Sequence, residues 1–229
     1  MEQISQLRVF FAAQGRQHRY RKGQILIQPG IEPAGIYFIE SGLVKVYSLS
    51  HDDIEHDHLF YGTGDVFPII WAIEGSHRSV YYETMEDTVV RLIPKEDFVK
   101  FLHEQPATTY ELLVRTTEFF KLYGAQIDNL LYSNASERIA FRLLALLNRY
   151  PERDGDNFRL GIFLTNQDIA HSVATTRETV NRFFSRLKRQ GIMHYDNERH
   201  MVISNIEALG KIIGTETARD LWPELFKQV

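Results

Sequence analysis

The sequence contains no cysteine, and this absence excludes several kinds of chemistry. The chain cannot form disulfides, bind zinc through thiolates, hold an iron–sulfur cluster on cysteines or sense redox state through a thiol. A protein without disulfides fits a reducing compartment, so we expect a cytoplasmic protein.

Long apolar runs are also lacking. The longest extends from Val66 to Ile73 and is interrupted by Pro68, whereas a membrane-spanning helix needs about 20 apolar residues. The first residues, MEQISQLRVFF, do not combine a basic start with a long apolar core. We therefore expect neither a membrane segment nor a signal peptide.

Positive charge is scarce overall, because the formal net charge of the 229 residues is −4. That balance by itself argues against a nucleic-acid-binding protein. The charge is unevenly distributed, however: it is −6 over residues 1–134, +3 over residues 135–204 and −1 over residues 205–229. The positive segment is therefore the better candidate for a surface that faces nucleic acid.

Residues 20–100 have the pattern of a small antiparallel β-roll or barrel. Short stretches rich in Val, Ile, Tyr and Phe, such as GIYFIESGLVKVYSL, alternate with Gly, Pro and Asp, as they do in such folds. We expect short helices on either side of the roll, near Ile4–Gln14 and Lys95–Glu104.

A long helix is predicted from Pro106 to about Tyr132. Mostly apolar side chains recur on it at alternating steps of three and four, the spacing of a coiled-coil seam. They are Leu113, Thr116, Phe120, Tyr123, Ile127 and Leu130. Two explanations are open: the helix packs on its own β domain, or the seam pairs two copies of the chain. We favour the pair, because the DNA-reading segment described below suits a two-fold dimer.

The pattern changes at Ala135, where we place the start of a C-terminal domain. SERIAFRLLALLNRY predicts an amphipathic helix ended by Pro151, and PERDGDN predicts a polar loop. FRLGIFL and GIMHYDNERHMVI predict strands on either side of two further helices, the second with a turn at Asp196–Asn197. Residues 205–229 predict one or two terminal helices.

The segment LTNQDIAHSVATTRETVNRFFSRLKRQGIM, residues 164–193, predicts a helix-turn-helix. Thr165 and Thr175 are each suited to cap a helix, and each is followed three residues later by an acidic residue, Asp168 or Glu178. Two short helices would then begin ten residues apart with a tight turn between them, which is the geometry of this motif.

The second of these helices has two distinct faces. The predicted buried stripe is Val180, Phe183, Phe184 and Leu187. The polar faces carry Arg177, Glu178, Asn181, Arg182, Ser185, Lys188 and Arg189. From Arg177 to Gln190 there are five basic residues and one acidic residue, a net charge of +4. A charge run is often only a solvated surface, but the caps, the stripe and the polar first turn together favour a DNA-reading helix.

Hydrogen-bonding geometry suggests a role for each polar side chain. Arg177 can fork onto O6 and N7 of a guanine, and Glu178 can accept from the N4 amine of a cytosine. Arg182 can fork onto a second guanine or be held in place by Glu178. The remaining candidate DNA contacts, most of them to phosphates, are Thr165, Ser172, Thr175, Asn181 and Lys188.

The helix-turn-helix resembles that of the cyclic-AMP receptor protein/FNR family of bacterial transcription regulators. The string RETVNR, Arg177 to Arg182, resembles the recognition helix of the cyclic-AMP receptor protein, whereas the FNR branch has a different residue at the position of Arg177. KGQILIQPGIEPAGIYFIESGLVKVY resembles the family's β-roll, and ASERIAFRLL resembles the segment after its dimer helix. The resemblance covers residues 20 to 204, nearly the whole chain.

The resemblance implies an α+β homodimer. It implies a cyclic-nucleotide-binding-type β-roll over residues 1–105, a dimerisation helix over residues 106–134 and a winged helix-turn-helix over residues 135–229. Arg177, Glu178 and Arg182 match the three base-contacting positions and imply a palindromic site with half-sites resembling TGTGA. The implied partners are double-stranded DNA, a second copy of the chain and RNA polymerase.

The resemblance also bears on the effector. Family members that bind cyclic AMP use a cassette with a Gly-Glu pair followed by an Arg-Ser pair. Here GDVFPIIWAIEGSHRSV keeps Arg-Ser at positions 78 and 79, but Pro68 and Ile69 replace Gly-Glu. The Thr-Ser pair that reads adenine falls on Tyr123 and Gly124. Proline has no N–H and isoleucine has no carboxylate, so we expect no physiological cyclic-AMP binding.

The sequence does not decide which other effector, if any, the chain binds. The candidate effector contacts are Trp71, Arg78, Ser79, Tyr82 and Tyr123. Their rings would suit an aromatic or apolar metabolite, although core packing explains the rings as well and a surface ion pair explains the arginine. Haem, or a cyclic nucleotide, bound in the β-roll is the alternative, because one histidine can serve as an axial ligand. Part of the family needs no ligand at all.

The stretch HDDIEHDH, residues 51–58, contains histidines that could bind a metal. His56 and His58 share one face of a predicted strand, with His51 across the turn, but a solvated hairpin is the commoner arrangement and no metal is expected. An effector-binding module without DNA binding is disfavoured because the cassette has lost its glutamate. An enzyme is disfavoured because the chain shows no Gly-rich phosphate loop, nucleophile elbow or metal-ligand helix motif.

Overall fold

The computed structural model of the chain describes residues 4–76 and 79–226. The chain divides into two compact units, Met1–Thr117 and Glu118–Val229. The first unit combines two antiparallel sheets with helices, and the second is mainly helical with one small sheet. The predicted α+β class is confirmed.

The first unit is a β-roll with flanking helices. Its helices are α1 (Ile4–Gln14), α2 (Ile69–Glu74), α3 (Lys95–Glu104) and the first part of α4 (Pro106–Tyr132). Its strands are β1 (Arg16–Tyr20), β2 (Ile25–Ile27), β3 (Ile36–Ser41), β4 (Val44–Leu49), β5 (Glu55–Tyr61), β6 (Val66–Phe67), β7 (Tyr81–Thr84) and β8 (Thr88–Ile93). They form two four-stranded sheets in the orders β1-β8-β3-β6 and β2-β7-β4-β5. The bounds predicted for α1, α3 and α4 are confirmed.

Apolar side chains from both sheets meet in the interior of the roll. The buried members are Ile27, Tyr37, Ile39, Val44, Phe67 and Val90. Phe67 stacks on Tyr37 and on Tyr82 with ring centroids 5.1 Å apart in both pairs, and Tyr61 lies 5.3 Å from it. Phe67 is thus enclosed by other rings of the chain, and burying a side chain of this kind contributes about 1.5–3 kcal/mol.

The other face of the β1-β8-β3-β6 sheet packs against helices. Successive residues of β3 alternate between the two sides, as a pleated strand requires: Tyr37 and Ile39 belong to the interior, whereas Phe38 packs with Phe11 of α1 at 5.2 Å between ring centroids. Trp71 of α2 belongs to this second cluster, and the ammonium of Lys95 lies 4.8 Å from its ring centre.

The second unit continues from α4 through a helix-turn-helix and a four-stranded sheet. Its further helices are α5 (Ala135–Arg149), α6 (Asn166–Ser172), α7 (Arg177–Arg189), α8 (Ile206–Ile213), α9 (Thr215–Leu221) and α10 (Pro223–Phe226). Its strands are β9 (Pro151–Asp154), β10 (Asn157–Leu160), β11 (Met193–Tyr195) and β12 (Met201–Ile203), in the order β11-β12-β10-β9.

The prediction of a polar loop at PERDGDN was wrong, because this segment forms a β-hairpin. Pro151 begins the edge strand β9, a place where a residue without an N–H is tolerated. Gly155 has φ 60° in the turn, which suits the tight hairpin connection between β9 and β10. All four residues of β9 are exposed, so the strand lacks the alternation of apolar and polar residues that would have marked it.

The described C-terminal residues, 205–226, form three helices rather than one or two, and the first of them, α8, packs against α5. Trp222 is 1% exposed, and its ring meets that of Phe141 of α5 edge to face at 5.0 Å. Among the described residues, none of the helices is long and apolar enough to cross a membrane.

Candidate nucleic-acid interface

The first helix of the predicted helix-turn-helix begins as its sequence indicated. The hydroxyl of Thr165 accepts from the backbone N–H of Asp168 at 3.2 Å, and the Asp168 carboxylate accepts from the backbone N–H of Thr165 at 2.6 Å. This reciprocal capping box confirms the predicted start of α6, and it keeps the exposed Thr165 at the helix N-terminus.

The second helix begins one residue later than predicted. Thr176, not Thr175, is its N-cap, and its hydroxyl accepts from the backbone N–H of Thr179 at 3.2 Å. The cause lies in the turn, where Ala174 adopts φ 49° and the N–H of Thr175 donates to the carbonyl of Ala170. This bond ties Thr175 to the end of α6 and leaves the following threonine to cap α7.

Helix α7 separates into the two predicted faces. Val180 and Leu187 are 0% exposed, and Phe183 and Phe184 are 3% and 2% exposed, so the buried stripe is confirmed. The predicted base-reading and groove side chains are all exposed: Arg177, Glu178, Asn181, Arg182 and Lys188. The packed stripe fixes the helix, and its polar side is left accessible to a ligand.

Arg182 forms a hydrogen bond with Thr179, so of its two predicted roles only the contact with a guanine stays a prediction. Its guanidinium donates to the hydroxyl of Thr179 at 3.3 Å, three residues before it on the same helix. Arg177 precedes Asn181 by one turn. The exposed polar groups of the first two turns therefore lie together on one side of α7, at the end where a recognition helix contacts bases.

The prediction that Ser172 contacts a phosphate does not fit its position. Ser172 is 4% exposed, and its hydroxyl donates to the carbonyl of Ile169 at 2.9 Å within the last turn of α6. A hydroxyl on a short helix commonly makes such a back-bond to its own backbone. Thr175 is half-buried and Thr165 is exposed, so these two stay predictions.

Two residues that the sequence did not single out join this surface to the neighbouring hairpin. Asn166, the first residue of α6, donates from Nδ2 to Oδ1 of Asn181 at 2.5 Å and accepts at Oδ1 from the hydroxyl of Tyr195 at 3.1 Å. The ammonium of Lys188 lies 4.2 Å from the centre of the Tyr195 ring. Burial raises the pKa of Tyr195, so its hydroxyl stays protonated.

The hairpin formed by β11 and β12 is shaped by Arg159 of β10. Its guanidinium donates to Asp196 at 2.7 Å and to Glu198 at 2.8 Å, and it also bonds Glu152. The bond from Arg159 holds the pKa of Asp196 below its usual range. The exposed Arg199 adopts φ 68° in the same turn.

Helix α5 connects the long helix to the helix-turn-helix through one arginine. Nε of Arg138 donates to the carbonyl of Val173 at 3.1 Å, and an Nη donates to the carbonyl of Ser133 at 2.9 Å. Ser133 lies in the short link between α4 and α5, and Val173 ends α6. Arg138 thus satisfies carbonyls at two helix ends that have no partner within their own helices.

Large apolar side chains are exposed along α4. Of the predicted seam, Leu113 is 56%, Phe120 82%, Ile127 57% and Leu130 47% exposed. Tyr123 is half-buried, and its hydroxyl has no hydrogen-bond partner among the described residues. Contiguous exposed apolar patches of this kind are characteristic of interaction surfaces, so the seam stays the prediction for the dimer interface.

The candidate effector residues fall into separate surroundings. Arg78 lies outside the described residues, and Ser79 is exposed. Trp71 of α2 packs in the cluster between the helices and the β1-β8-β3-β6 sheet, whereas Tyr82 of β7 stacks in the interior of the roll. The two rings therefore do not form one wall of a ligand pocket, so the suggested aromatic site is not formed by Trp71 and Tyr82.

The histidines of residues 51–58 are arranged as in an ordinary hairpin. His58 Nε2 forms a hydrogen bond with the hydroxyl of Ser48 at 2.8 Å. Among the described residues, His51, His56 and His58 do not bring three ligand atoms together. Asp196, Glu198 and His200 do lie close to one another, but each is hydrogen-bonded to the guanidinium of Arg159.

Comparisons with known proteins agree with this architecture. A model of the cyclic nucleotide-binding domain matches residues 17–105, and a model of the Crp-like helix-turn-helix domain matches residues 137–212. The chain is 26% identical to the anaerobic regulatory protein of Bacillus subtilis over 81% of this chain and 78% of the relative. It is also 26% identical to the fumarate and nitrate reduction regulatory protein of Escherichia coli, over 87% and 79%.

Solved structures give the same result. A CooA mutant from Carboxydothermus hydrogenoformans is similar with a TM-score of 0.73 and 26% identity, covering 87% of this chain and 88% of that one. FixK2 from Bradyrhizobium japonicum is similar with a TM-score of 0.71 and 26% identity, covering 86% and 96%. The fold and the exposed helix define a DNA-binding transcription regulator. The chain belongs to the Crp/Fnr family.

Proposed function

We propose that the protein binds, as a homodimer, a palindromic DNA site whose half-sites resemble TGTGA. The observation that carries this proposal is the position of Arg177, Glu178 and Arg182, exposed on the first two turns of a helix whose opposite side is buried. Arg177 and Arg182 would each fork onto a guanine, and Glu178 would accept from a cytosine amine.

Contacts to the DNA backbone would surround these base contacts. Thr165 at the start of α6 and Lys188 late in α7 are exposed, and helix starts and ammonium groups are common phosphate ligands. Asn181 and Thr175 complete the set. Arg199 in the turn of the β11–β12 hairpin is added, because it is exposed on the element that follows the recognition helix.

The second copy of the chain would pair along α4. Leu113, Phe120, Tyr123, Ile127 and Leu130 share the a/d spacing, and four of them are about half exposed or more. Association would cover this stripe and bring two recognition helices into a two-fold arrangement, which a palindromic site requires. The division into sensor roll (1–105), dimerisation helix (106–134) and DNA-binding domain (135–229) follows from this role.

The roll would not require cyclic AMP. Pro68 and Ile69 stand at the start of α2, and Pro68 offers no N–H and no side-chain cap there. The neighbouring Phe67 is 0% exposed and stacked between other rings. Losing the glutamate and the adenine-reading pair removes hydrogen bonds worth about 1–3 kcal/mol each, enough to abolish micromolar affinity.

The remaining proposals follow from the role of a DNA-binding regulator. As a regulator that binds DNA the protein would act without catalysing a reaction, in the cytoplasm, and RNA polymerase would be its partner at promoters. These assignments rest on family membership.

The test is a fluorescence-anisotropy titration of the full-length protein, without added nucleotide, on a TGTGA palindrome and on a scrambled duplex of equal length. We expect a preference of at least about a thousandfold at physiological salt and a steep fall of affinity with salt. Equal affinity for both duplexes would contradict the proposal. A preference that appears only after cyclic AMP or haem is added would contradict its effector-independent part.

A further inference from the structure

Asn166 joins three elements that surround the proposed DNA-binding surface. It stands at the start of α6, its amide nitrogen is bonded to Asn181 of α7, and its amide oxygen is bonded to Tyr195 at the end of β11. These residues are 15 and 29 positions away from it in the sequence. One side chain therefore fixes the recognition helix relative to both the preceding helix and the hairpin.

The direction of these bonds determines what Asn181 can offer to a base. A carboxamide has an acceptor oxygen and two N–H donors. Because Oδ1 of Asn181 already accepts from Asn166, its Nδ2 is the group left for the groove. The bidentate contact of asparagine with adenine uses both amide atoms, so here it would require Oδ1 of Asn181 to serve Asn166 and the base at once.

The hydroxyl of Tyr195 gives the chain of bonds its direction. Tyr195 is half-buried, and its ring lies 4.2 Å below the ammonium of Lys188. Its hydroxyl donates to Oδ1 of Asn166, which turns the Asn166 N–H groups toward Asn181. The orientation of Asn181 is thus set from the hairpin side, through Asn166.

We propose that Asn166 is a specificity-determining positioning residue. It holds the Asn181 amide so that its N–H groups are offered to the major groove, and the single base that they meet is selected because it presents an acceptor, which cytosine does not. Guanine O6 and N7, adenine N7 and thymine O4 are such acceptors. The proposal rests on the proposed function, since it requires α7 to lie in the major groove.

The decisive variant is Asn166→Asp. Aspartate offers only acceptors, so it still accepts from Tyr195 but accepts an N–H from Asn181 as well, which turns the Asn181 carbonyl toward the groove. The full-length variant is titrated on a panel of palindromes that carry each of the four base pairs at each half-site position. At one position, the ratio of affinities should shift by about tenfold toward a contacted base that presents an amine donor, cytosine or adenine.

Gln167→Glu is the matched control, because it adds the same negative charge at the next residue, which is exposed. It should weaken binding to every duplex alike and leave the base preferences unchanged. A preference profile for Asn166→Asp that matches the wild-type profile, merely scaled to lower affinity, would overturn the proposal. Failure of the proposed function would be seen earlier, as a wild-type protein that shows no base preference at all.

Tyr195→Phe tests the same chain of bonds if Asn166→Asp does not fold by circular dichroism. It removes the hydroxyl but keeps the ring beneath Lys188, and it should lower the discrimination at the same position by about threefold. In combination with Asn181→Ala it should add nothing, because the hydroxyl acts through Asn181. Additive losses of discrimination would overturn the proposal.

Discussion

The interior of the roll and the outer faces of α4 and α7 use large side chains in opposite ways. In the roll, Phe67 is 0% exposed and is enclosed by other rings. On α4, Phe120 is 82% exposed, and on α7 the arginines of the first two turns are exposed as well. A side chain that already has its partners contributes to stability, whereas one held exposed on a packed helix is available to a second molecule.

Substitution of Phe120 is expected to have the largest effect on assembly. Phe120→Lys would remove a buried ring from each copy in the proposed dimer, at about 1.5–3 kcal/mol per ring, and would oppose two positive charges. Sedimentation equilibrium should then show a monomer, with little change in thermal stability. Glu118→Gln adds the same charge on the other side of α4 and should stay dimeric. Equal oligomeric states for both variants would remove α4 as the interface.

Substitution of Phe67 should affect stability and leave recognition intact. Phe67→Ala would leave a cavity among the rings of the roll and lower the free energy of unfolding by about 3–5 kcal/mol, measured by urea denaturation. The folded fraction should retain the wild-type base preferences. A changed preference would show that the roll and the recognition helix are not separate in function.

Substitution of Arg177 should weaken DNA recognition and leave stability intact. Arg177→Ala is expected to cost about 1–3 kcal/mol of binding free energy per half-site and to abolish the preference for guanine at one position. The unfolding midpoint should move little, since the side chain is exposed. Lys188→Ala is the comparison. It should weaken binding to all duplexes equally and lower the slope of log K against log salt.

The smallest effect concerns the turn between α6 and α7. Ala174 adopts φ 49°, a left-handed conformation that costs a residue with a Cβ about 1 kcal/mol. Ala174→Gly should therefore raise the stability of the C-terminal unit by up to about that amount, with base preferences unchanged. A decrease in the melting temperature would contradict this explanation.

Local patterns predicted the parts of the site that depend on periodicity and capping. The stripe from Val180 to Leu187 follows from helical spacing, and Thr165 with Asp168 follows from the capping box. Thr175 and Thr176 are adjacent and chemically identical, so the true cap was decided by a bond from Thr175 to Ala170 across the turn. The capping-box spacing to Glu178 favoured Thr175, and the structure overrides it in favour of Thr176.

Contacts between distant segments were beyond such patterns. Asn166, Asn181 and Tyr195 meet through folding, and nothing in the spacing of these three residues indicates it. Trp71 is close to Tyr82 in sequence, yet the sheet separates their surroundings because one belongs to α2 and the other to β7. The hairpin at β9 was missed because all its residues are exposed, and the polar composition of PERDGDN predicted a loop.

The central claim is that two copies of an exposed recognition helix read DNA without an added effector. Selection of binding sequences from random duplexes by the full-length wild-type protein, with no nucleotide present, tests this claim most directly. The expected result is a pair of inverted half-sites that resemble TGTGA. Recovery of unrelated sequences, or of a single half-site without its inverted copy, would contradict it.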